Sequence, residues 1–258
     1  MTAIEVHAVV EGPDDAPVLL LSNSLGSDLT MWEPQVPALA EHFRVVRYDT
    51  RGHGRSPAAA GDTTIDDLAD DVVALLDRVG VPQAHVVGLS IGGMTGLRLA
   101  VREPHRVASL AVLCSSAHTG NEQTWRERAE TARTQGTGVL AETVVSRWLT
   151  PGHAAAHPDL VARLQAMVRG ADDEGYAACC AAIATMDQRP DLGSVTARTL
   201  VVSGAEDPAL PPEHQRVIAD GVPGAEFLSL SPAAHLANLE QPERVTAALI
   251  AHALGGTP

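Results

Sequence analysis

The segment from His85 to Gly93 constrains the fold more than any other part of this chain, because an apolar run leads there into a Gly-x-Ser-x-Gly motif. The β-branched residues before the motif favour a strand, and the composition from Met94 to Val101 favours a helix. A serine at the apex of such a turn is held in strained backbone geometry with its hydroxyl exposed, and the two glycines let neighbouring backbone approach closely. The pattern therefore predicts that Ser90 is a nucleophile. The alternative is a glycine-rich turn whose serine only caps the helix.

Composition limits the classes of protein to which the chain can belong. Its 258 residues are 45% hydrophobic, which suits one sizeable globular domain with a small insertion. The formal net charge of -14 argues against binding to nucleic acid or to anionic membranes. No signal-peptide pattern opens the sequence and no apolar run approaches ~20 residues, so we expect a cytoplasmic protein. The three cysteines lack disulfide or metal-site spacing, so we expect neither feature.

The order of the predicted elements indicates an α/β fold with a mainly parallel, doubly wound sheet. Apolar runs predict strands at 4–10, 18–21, 43–48, 107–114, 199–204 and 225–230, in addition to the strand before Ser90. The clearest helix runs from Thr64 to Val79, with one apolar face and an approximate capping box formed by Thr64 and Asp67. Repeated alternation of strand and helix favours a parallel sheet that is covered on both faces.

A helical region interrupts this alternation between residues 117 and 194. Helices are predicted there at 125–134, 139–149, 159–169 and 174–186, without a convincing strand between them. We therefore expect a first part of the core at 1–116, an inserted helical lid at 117–194 and a second part of the core at 195–258. The alternative is that these helices simply complete the core, which is the better interpretation for Leu164 and Ile183.

Three polar residues follow separate predicted strands, namely Ser90, Asp207 and His235. The carboxyl ends of parallel strands share one edge of a sheet, where ligand sites form, so we expect these residues to lie together. A serine needs an imidazole to take its proton, and the imidazole needs a carboxylate that fixes its tautomer and stabilises the imidazolium. The sequence thus predicts a catalytic triad. Glu206 is a rival to Asp207 for the carboxylate.

Four motifs carry a resemblance to a known family. They are Ser-Asn-Ser-Leu-Gly at 22–26, Asp-Thr-Arg-Gly-His-Gly-Arg-Ser at 49–56, Gly-Leu-Ser-Ile-Gly-Gly-Met at 88–94, and His-Leu-Ala-Asn-Leu-Glu-Gln-Pro at 235–242. With the chain order Ser, Asp, His, they resemble the 3-oxoadipate enol-lactonase branch of the α/β-hydrolase family over nearly the whole chain. The first motif is the narrower signal for this branch. Ala237 is a small departure, since related sequences often carry serine there.

The resemblance implies an α/β-hydrolase fold and roles for several residues. It implies that the loop at 49–56 is structural, so that His53 is not the catalytic base. It also implies an oxyanion hole made by the backbone N–H groups of Ser24 and Ile91, with Leu25 as the neighbouring candidate for the first donor; the second donor follows the nucleophile directly. The implied reaction opens a lactone ring through an acyl-enzyme on Ser90, without a metal or an organic cofactor.

The implied substrate, 3-oxoadipate enol-lactone, is a small anion, and a strongly acidic protein needs a local cation to bind it. Arg133, Arg147 and Arg189 are candidates for that cation, the alternative being a solvated helix face. Leu25 and Trp148 are candidates for the cavity wall, the alternative for the tryptophan being a packed lid aromatic. A general carboxylesterase, a carbon–carbon bond hydrolase with the same triad, and a ligand receptor without turnover stay open. The sequence also leaves a homo-oligomer open.

Overall fold

In the computed structural model, which describes residues 3–256, the strands form a single sheet. They are Ala8–Glu11 (β1), Val18–Ser22 (β2), Arg44–Tyr48 (β3), Ala84–Leu89 (β4), Val107–Leu113 (β5), Arg198–Gly204 (β6) and Glu226–Leu230 (β7). Their order across the sheet is β1-β3-β2-β4-β5-β6-β7. The first pair, β1 and β3, is antiparallel, and the neighbouring pairs that follow are parallel. The predicted α/β class with a mainly parallel, doubly wound sheet is therefore confirmed.

Helices connect the strands and cover the sheet. They are Val36–Leu39 (α1), Ile65–Arg78 (α2), Ile91–Arg102 (α3), Glu122–Gln135 (α4), Ala141–Val145 (α5), Pro151–Ala156 (α6), Pro158–Gly170 (α7), Asp173–Thr185 (α8), Pro212–Gly221 (α9), Ala237–Glu240 (α10) and Pro242–Ala253 (α11). Short 3-10 helices occupy Leu29–Trp32, Pro104–Arg106, Thr137–Leu140 and Arg189–Ser194. Within the described residues, no helix is both long enough and apolar enough to cross a membrane.

Alternating side chains of the central strands supply two hydrophobic cores, one on each face of the sheet. Leu19 and Leu21 of β2 are fully buried in one core, with Trp32 and residues of α11. Leu20 is fully buried in the other, against α2 and α3. Because successive side chains of a strand point to opposite faces, a strand covered on both sides has to be apolar throughout, and β2 accordingly reads Val-Leu-Leu-Leu.

Helix α2 begins at the capping box that the sequence indicates. The Asp67 N–H donates to the Thr64 hydroxyl at 3.2 Å, and the Thr64 N–H donates to the Asp67 carboxylate at 2.9 Å. Two N–H groups at the start of the helix thereby gain partners. The apolar face of α2 then packs on the sheet beside α3.

Two of the predicted elements differ from the structure in their bounds, and one helix was not predicted. The first strand begins at Ala8 rather than at residue 4. The helix predicted at 139–149 is divided, because the 3-10 helix Thr137–Leu140 precedes a short α5. Helix α9 was not predicted; it begins at Pro212, and a proline at the first helical position suits the start of a helix.

The helices α4 to α8 lie between β5 and β6 in the chain. Helices α4 and α8 bury Ala129 and Tyr176 in a third apolar cluster, which also contains Leu25 after β2 and Ile91 after β4. These helices therefore cover the edge at which β2 and β4 end. Leu164 of α7 belongs to the same core as the sheet residue Leu19, so α7 also extends that core. The division into core and lid at residues 117 and 194 stays a prediction.

Candidate active site

Ser90 occupies a strained turn between β4 and α3, at backbone angles of φ 58° and ψ −119°. Its N–H donates to the carbonyl oxygen of Leu113 at 2.9 Å, which holds the turn against β5. A Cβ atom on Gly88 would meet the carbonyl oxygen of Gly92 at 2.1 Å, and one on Gly92 would meet that of Ser22 at 2.4 Å. Both positions therefore require glycine. The turn carries the Ser90 side chain to the wall of a cavity of about 250 Å³.

Asp207 and His235 form a buried pair at the ends of β6 and β7. The His235 Nδ1 atom lies 2.8 Å from Asp207 Oδ2, and the two side chains are 4% and 0% exposed. Asp207 Oδ1 accepts from the N–H groups of Ala209, at 2.8 Å, and Leu210, at 3.0 Å. Because a carboxylate can only accept, Nδ1 carries the proton and Nε2 is the basic nitrogen of the imidazole. The rival Glu206 is solvent-exposed.

Ser90 and His235 line the same cavity. Ser90 is 7% exposed and His235 is 3% exposed, so both can be reached only through this cavity. Within residues 3–256 no hydrogen bond joins the Ser90 hydroxyl to the imidazole. Catalytic hydrogen bonds are often long in ligand-free structures and tighten in the substrate complex. The arrangement therefore brings together the three residues that the sequence predicted.

The structure distinguishes between the candidate oxyanion donors. The Ser24 N–H donates to the Met31 sulfur at 3.3 Å, and the Ser27 hydroxyl donates to the same sulfur at 2.9 Å. The Ser24 N–H thus has a sulfur acceptor, although Ser24 itself lines the cavity, and its role as an oxyanion donor stays a prediction. The N–H groups of Leu25 and Ile91 have no acceptor in the described part of the chain, and Leu25 lines the cavity. The Leu25 N–H is thus available to a bound oxyanion, and the choice of Ser24 or Leu25 as the first donor stays a prediction.

The side chain of Asn23 holds the loop that carries Leu25. Its Nδ2 donates to the Tyr48 carbonyl at 2.7 Å, and its Oδ1 accepts from Trp32 Nε1 at 3.0 Å. The backbone carbonyl of Asn23 accepts from the Gly92 N–H at 3.0 Å. The loop after β2 is thus hydrogen-bonded directly to the turn that carries the serine. This bond fixes the N–H groups of Leu25 and Ile91 relative to each other.

His53 lies outside the cavity, as the resemblance implies. It is 2% exposed, and its Nδ1 atom lies 2.9 Å from the Arg51 carbonyl oxygen. Burial lowers the pKa of His53, because the charged imidazolium would lose its hydration. The residue therefore serves as a neutral, packed element of the loop at 49–56.

Two of the three predicted cations do not reach the cavity. Arg133 forms ion pairs with Asp62 at 2.5 Å and with Glu174 at 2.9 Å. Arg189 is paired with Asp187 at 2.6 Å on the outer surface. The prediction for Arg133 and Arg189 is therefore wrong, since nearby carboxylates hold both side chains outside the cavity.

Arg147 and Trp148 do line the cavity, as predicted, and Arg128 and Trp125 join them there. The Arg128 guanidinium lies over the Trp125 ring, 4.6 Å from its centroid. Neither Arg128 nor Arg147 forms a salt bridge with any of residues 3–256. The cavity therefore contains two arginines without carboxylate partners. Sequence reasoning missed Arg128, whose only signal is its position one helical turn after Trp125.

His214 is a second cavity histidine that sequence reasoning missed, because it lies on the unpredicted α9. Its Nδ1 atom lies 2.9 Å from the Ser116 hydroxyl oxygen, which also accepts from the His118 N–H at 3.0 Å. Across residues 3–256, histidine, cysteine, aspartate and glutamate side chains form no group of three that could hold a metal ion. His214 is therefore a polar wall residue of the cavity.

Comparison with known proteins agrees with this geometry. Residues 17–242 match the family described as the alpha/beta hydrolase fold. A curated relative, 3-oxoadipate enol-lactonase 2 of Acinetobacter baylyi, is 39% identical over 232 residues, which cover 90% of this chain and 86% of the relative. The sequence similarity therefore extends through nearly all of both proteins.

Solved structures are similar over the same extent. The enol-lactonase from Burkholderia xenovorans LB400 superimposes with a TM-score of 0.94 at 40% identity, covering 96% of this chain and 95% of that one. A thermophilic esterase from Thermogutta terrifontis, solved with malate bound, gives a TM-score of 0.89 at 32% identity, covering 96% of this chain and 92% of the esterase. Both similarities extend over nearly the whole of this chain.

Proposed function

Since the chain belongs to the α/β-hydrolase family, and within it to the 3-oxoadipate enol-lactonase branch, we propose that it opens the lactone ring of 3-oxoadipate enol-lactone. The product is 3-oxoadipate, and the enzyme acts in the β-ketoadipate pathway. One observation carries the proposal: Ser90 and the Asp207-paired His235 line one cavity with two arginines that have no carboxylate partner. The first pair supplies the chemistry of ester hydrolysis, and the arginines suit an anionic substrate.

In the first step Ser90 acts as the nucleophile. Its Oγ attacks the lactone carbonyl carbon while His235 Nε2 takes the hydroxyl proton. Asp207 keeps the proton of the other ring nitrogen in place and stabilises the imidazolium that forms. Two N–H groups to Asp207 Oδ1 hold the carboxylate in orientation, so the base is aligned before the substrate binds.

The oxyanion of the tetrahedral intermediate lies between the N–H groups of Leu25 and Ile91. These donors are held in place, because the Asn23 side chain anchors its loop to Tyr48 and the Asn23 carbonyl oxygen accepts from the Gly92 N–H of the serine turn. Donors that are already oriented stabilise the developing charge without reorganisation. Removal of one such donor typically costs about 3 kcal/mol of transition-state stabilisation.

Collapse of the intermediate breaks the bond between the carbonyl carbon and the ring oxygen. The electron pair leaves as an enolate, which is a better leaving group than an alkoxide, and the imidazolium of His235 returns a proton to the departing group. Water, deprotonated by His235 Nε2, then attacks the acyl-enzyme and releases Ser90. The enol converts to the ketone of 3-oxoadipate.

Arg128 and Arg147 bind the carboxylate of the substrate in this proposal. An arginine matches a carboxylate with two parallel N–H donors, and charge-assisted bonds of this kind are among the strongest in proteins. A net charge of -14 repels an anion at long range, so local positive charge is needed. The malate in the esterase from Thermogutta terrifontis is itself a carboxylate ligand on the same fold.

We also propose that α4 to α8 act as the lid of this site. These helices and the segment after α5 contribute Arg128, Arg147 and Trp148 to the cavity, whereas Ser90, Asp207 and His235 follow strands of the sheet. The loops that follow the strands would then supply the catalytic residues, and the helices would supply the residues that determine substrate specificity.

The decisive experiment measures the loss of ultraviolet absorbance of 3-oxoadipate enol-lactone, with a neutral aryl ester as the comparison substrate. We expect rapid lactone turnover by the wild type, a far lower kcat/KM for the aryl ester, and no turnover by Ser90→Ala. If the wild type cleaves the aryl ester but not the lactone, the catalytic triad stands and the protein is a general carboxylesterase rather than a lactonase. Wild-type turnover by Ser90→Ala would remove Ser90 as the nucleophile.

A further inference from the structure

The backbone on both sides of His235 is tied to one short segment, Trp148–Thr150. The Leu236 N–H donates to the Trp148 carbonyl oxygen at 2.8 Å. The Ala234 N–H donates to Glu240 Oε2 at 2.5 Å, and Glu240 Oε1 accepts from Thr150. The N–H groups of Ala234 and Leu236, the two neighbours of His235 in the chain, therefore reach the same segment, the second directly and the first through the carboxylate of Glu240.

Glu240 is fully engaged in this link. Its Oε1 atom accepts from the Thr150 N–H at 2.9 Å and from the Thr150 hydroxyl at 2.6 Å. Within residues 3–256 no cation forms a salt bridge with Glu240, so its charge is balanced by N–H and O–H donors on both sides. Hydrogen bonds to an ionised acceptor are roughly twice as strong as neutral ones. The carboxylate is thus a strong and directional bridge.

We propose that Glu240 is a positioning residue, which makes the placement of His235 depend on the segment that carries Trp148. Trp148 forms part of the cavity wall, so contacts with the substrate at that wall are transmitted to the base through two peptide groups. The inference rests on the proposed function only for the role of His235 as the base. It requires a substrate that reaches Trp148, but not a particular lactone.

Other contacts hold the same loop to the sheet and do not involve Glu240. The Glu206 N–H donates to the Ala233 carbonyl oxygen at 2.9 Å. The Ala234 carbonyl oxygen lies so close to Gly204 that a Cβ there would meet it at 2.1 Å. Contacts with the end of β6 and the loop after it therefore hold the His235 loop against the sheet, and Glu240 connects the same loop to Thr150, next to α6. Loss of that connection should alter catalysis more than folding.

The test compares Glu240→Gln with the control Glu243→Gln. Both oxygens of Glu240 face N–H donors, so an amide NH₂ must oppose one of them and break part of the bridge. Glu243 is exposed on α11, and its substitution removes the same charge without a bridge. Since a small misplacement of a catalytic group can cost about 100-fold, we expect kcat to fall by about 10- to 100-fold in Glu240→Gln and to be unchanged in the control.

Further measurements separate positioning from a merely structural role. In Glu240→Gln we expect KM to change much less than kcat, and the low-field proton NMR signal of His235 Nδ1–H to shift or broaden while circular dichroism is unchanged. Thr150→Val removes the hydroxyl that donates to Glu240, together with its weaker cap to the His153 N–H at the start of α6, so kcat should fall by about 2- to 5-fold. The double variant should lose less than the product of the two single effects, because both act on one link.

Two outcomes would overturn the inference. One is a folded Glu240→Gln enzyme whose kcat lies within twofold of the wild type; the other is a double variant whose losses simply multiply. If Glu240→Gln does not fold, Thr150→Val decides, and a folded Thr150→Val enzyme with wild-type kcat would overturn the inference. All variants are measured on the aryl ester as well as on the lactone, so absence of lactone turnover in the wild type would reject the proposed substrate while the test of Glu240 proceeds.

Discussion

Gly88 lies against the carbonyl group of Gly92, and a Cβ atom at Gly88 would come within 2.1 Å of that oxygen. Gly88 and Gly92 flank Ser90 in the same turn, so the backbone at either position cannot shift without moving the serine. The close approach is therefore a requirement of the turn itself.

We predict that Gly88→Ala loses nearly all activity and more than about 2 kcal/mol of unfolding free energy, because the new methyl group collides with backbone. Chemical denaturation and lactone turnover measure the two effects. Gly152→Ala is the matched control: it lies in α6 with no atom within 4 Å of its Cβ position, so it should be neutral or stabilising by up to about 1 kcal/mol. A Gly88→Ala enzyme with normal kcat would contradict the close-packed turn.

Asp207→Asn should lower kcat by about 10⁴-fold while leaving the fold intact, because the amide favours the wrong tautomer of His235. Glu206→Gln, on the adjacent exposed residue, should retain wild-type kcat. Steady-state kinetics on either substrate measures both. A large loss in Glu206→Gln together with an active Asp207→Asn would exchange the two assignments.

The arginines of the cavity should control KM for the anionic substrate. Arg128→Gln and Arg147→Gln each remove a charge-assisted contact, so we expect KM for the lactone to rise by about 10-fold or more, with little change in KM for a neutral aryl ester. Arg133→Gln, which breaks surface ion pairs outside the cavity, is the control and should leave KM unchanged. Equal effects on charged and neutral substrates would show that the arginines do not bind the carboxylate.

His252 should make the stability of the protein depend on pH. It is 1% exposed, its Nε2 lies 3.1 Å from the Leu110 carbonyl oxygen, and burial lowers the pKa of the imidazole to about 4. Between pH 6.5 and 4 the unfolded chain takes up a proton at this residue that the folded chain does not. The stability is therefore fully present above pH 6.5 and falls as the pH approaches 4, by on the order of 1–2 kcal/mol from this group.

Denaturation of the wild type and of His252→Gln, at pH 7 and at pH 4.5, checks this prediction. The difference in unfolding free energy between the two proteins should shrink at the lower pH, since the glutamine cannot be protonated. A difference that is constant with pH would mean that His252 titrates normally in the fold.

The sequence predicted the sheet and the three residues at its edge because both depend on local patterns. Apolar runs specify strands buried on both faces, and a residue directly after such a strand has to lie at the carboxyl edge. Ser90 follows β4 directly, and Asp207 and His235 lie in the loops that follow β6 and β7. Their meeting is therefore a consequence of the parallel order rather than of long-range packing.

The cavity wall could not be predicted in the same way. Arg128 and Arg133 lie on the same helix, and the packing of α4 on α8 places Arg128 at the cavity and Arg133 beside Glu174. No local pattern records which face of α4 is covered. The direction of the Ser24 N–H likewise depends on a sulfur atom seven residues further along the chain.

The position of the inserted helices also bears on the order in which the protein folds. Ser109 of β5 pairs with Arg198 of β6, so the sheet cannot be extended past β5 until the ends of the whole insertion meet. Closing a long loop costs entropy before any contact repays it, and such pairings form slowly. The turn at Ser90 is encoded before the insertion, whereas Asp207 and His235 are encoded after it. A refolding chain should therefore recover most of its helical signal before it recovers turnover, and enzymatic activity would report the last step of assembly.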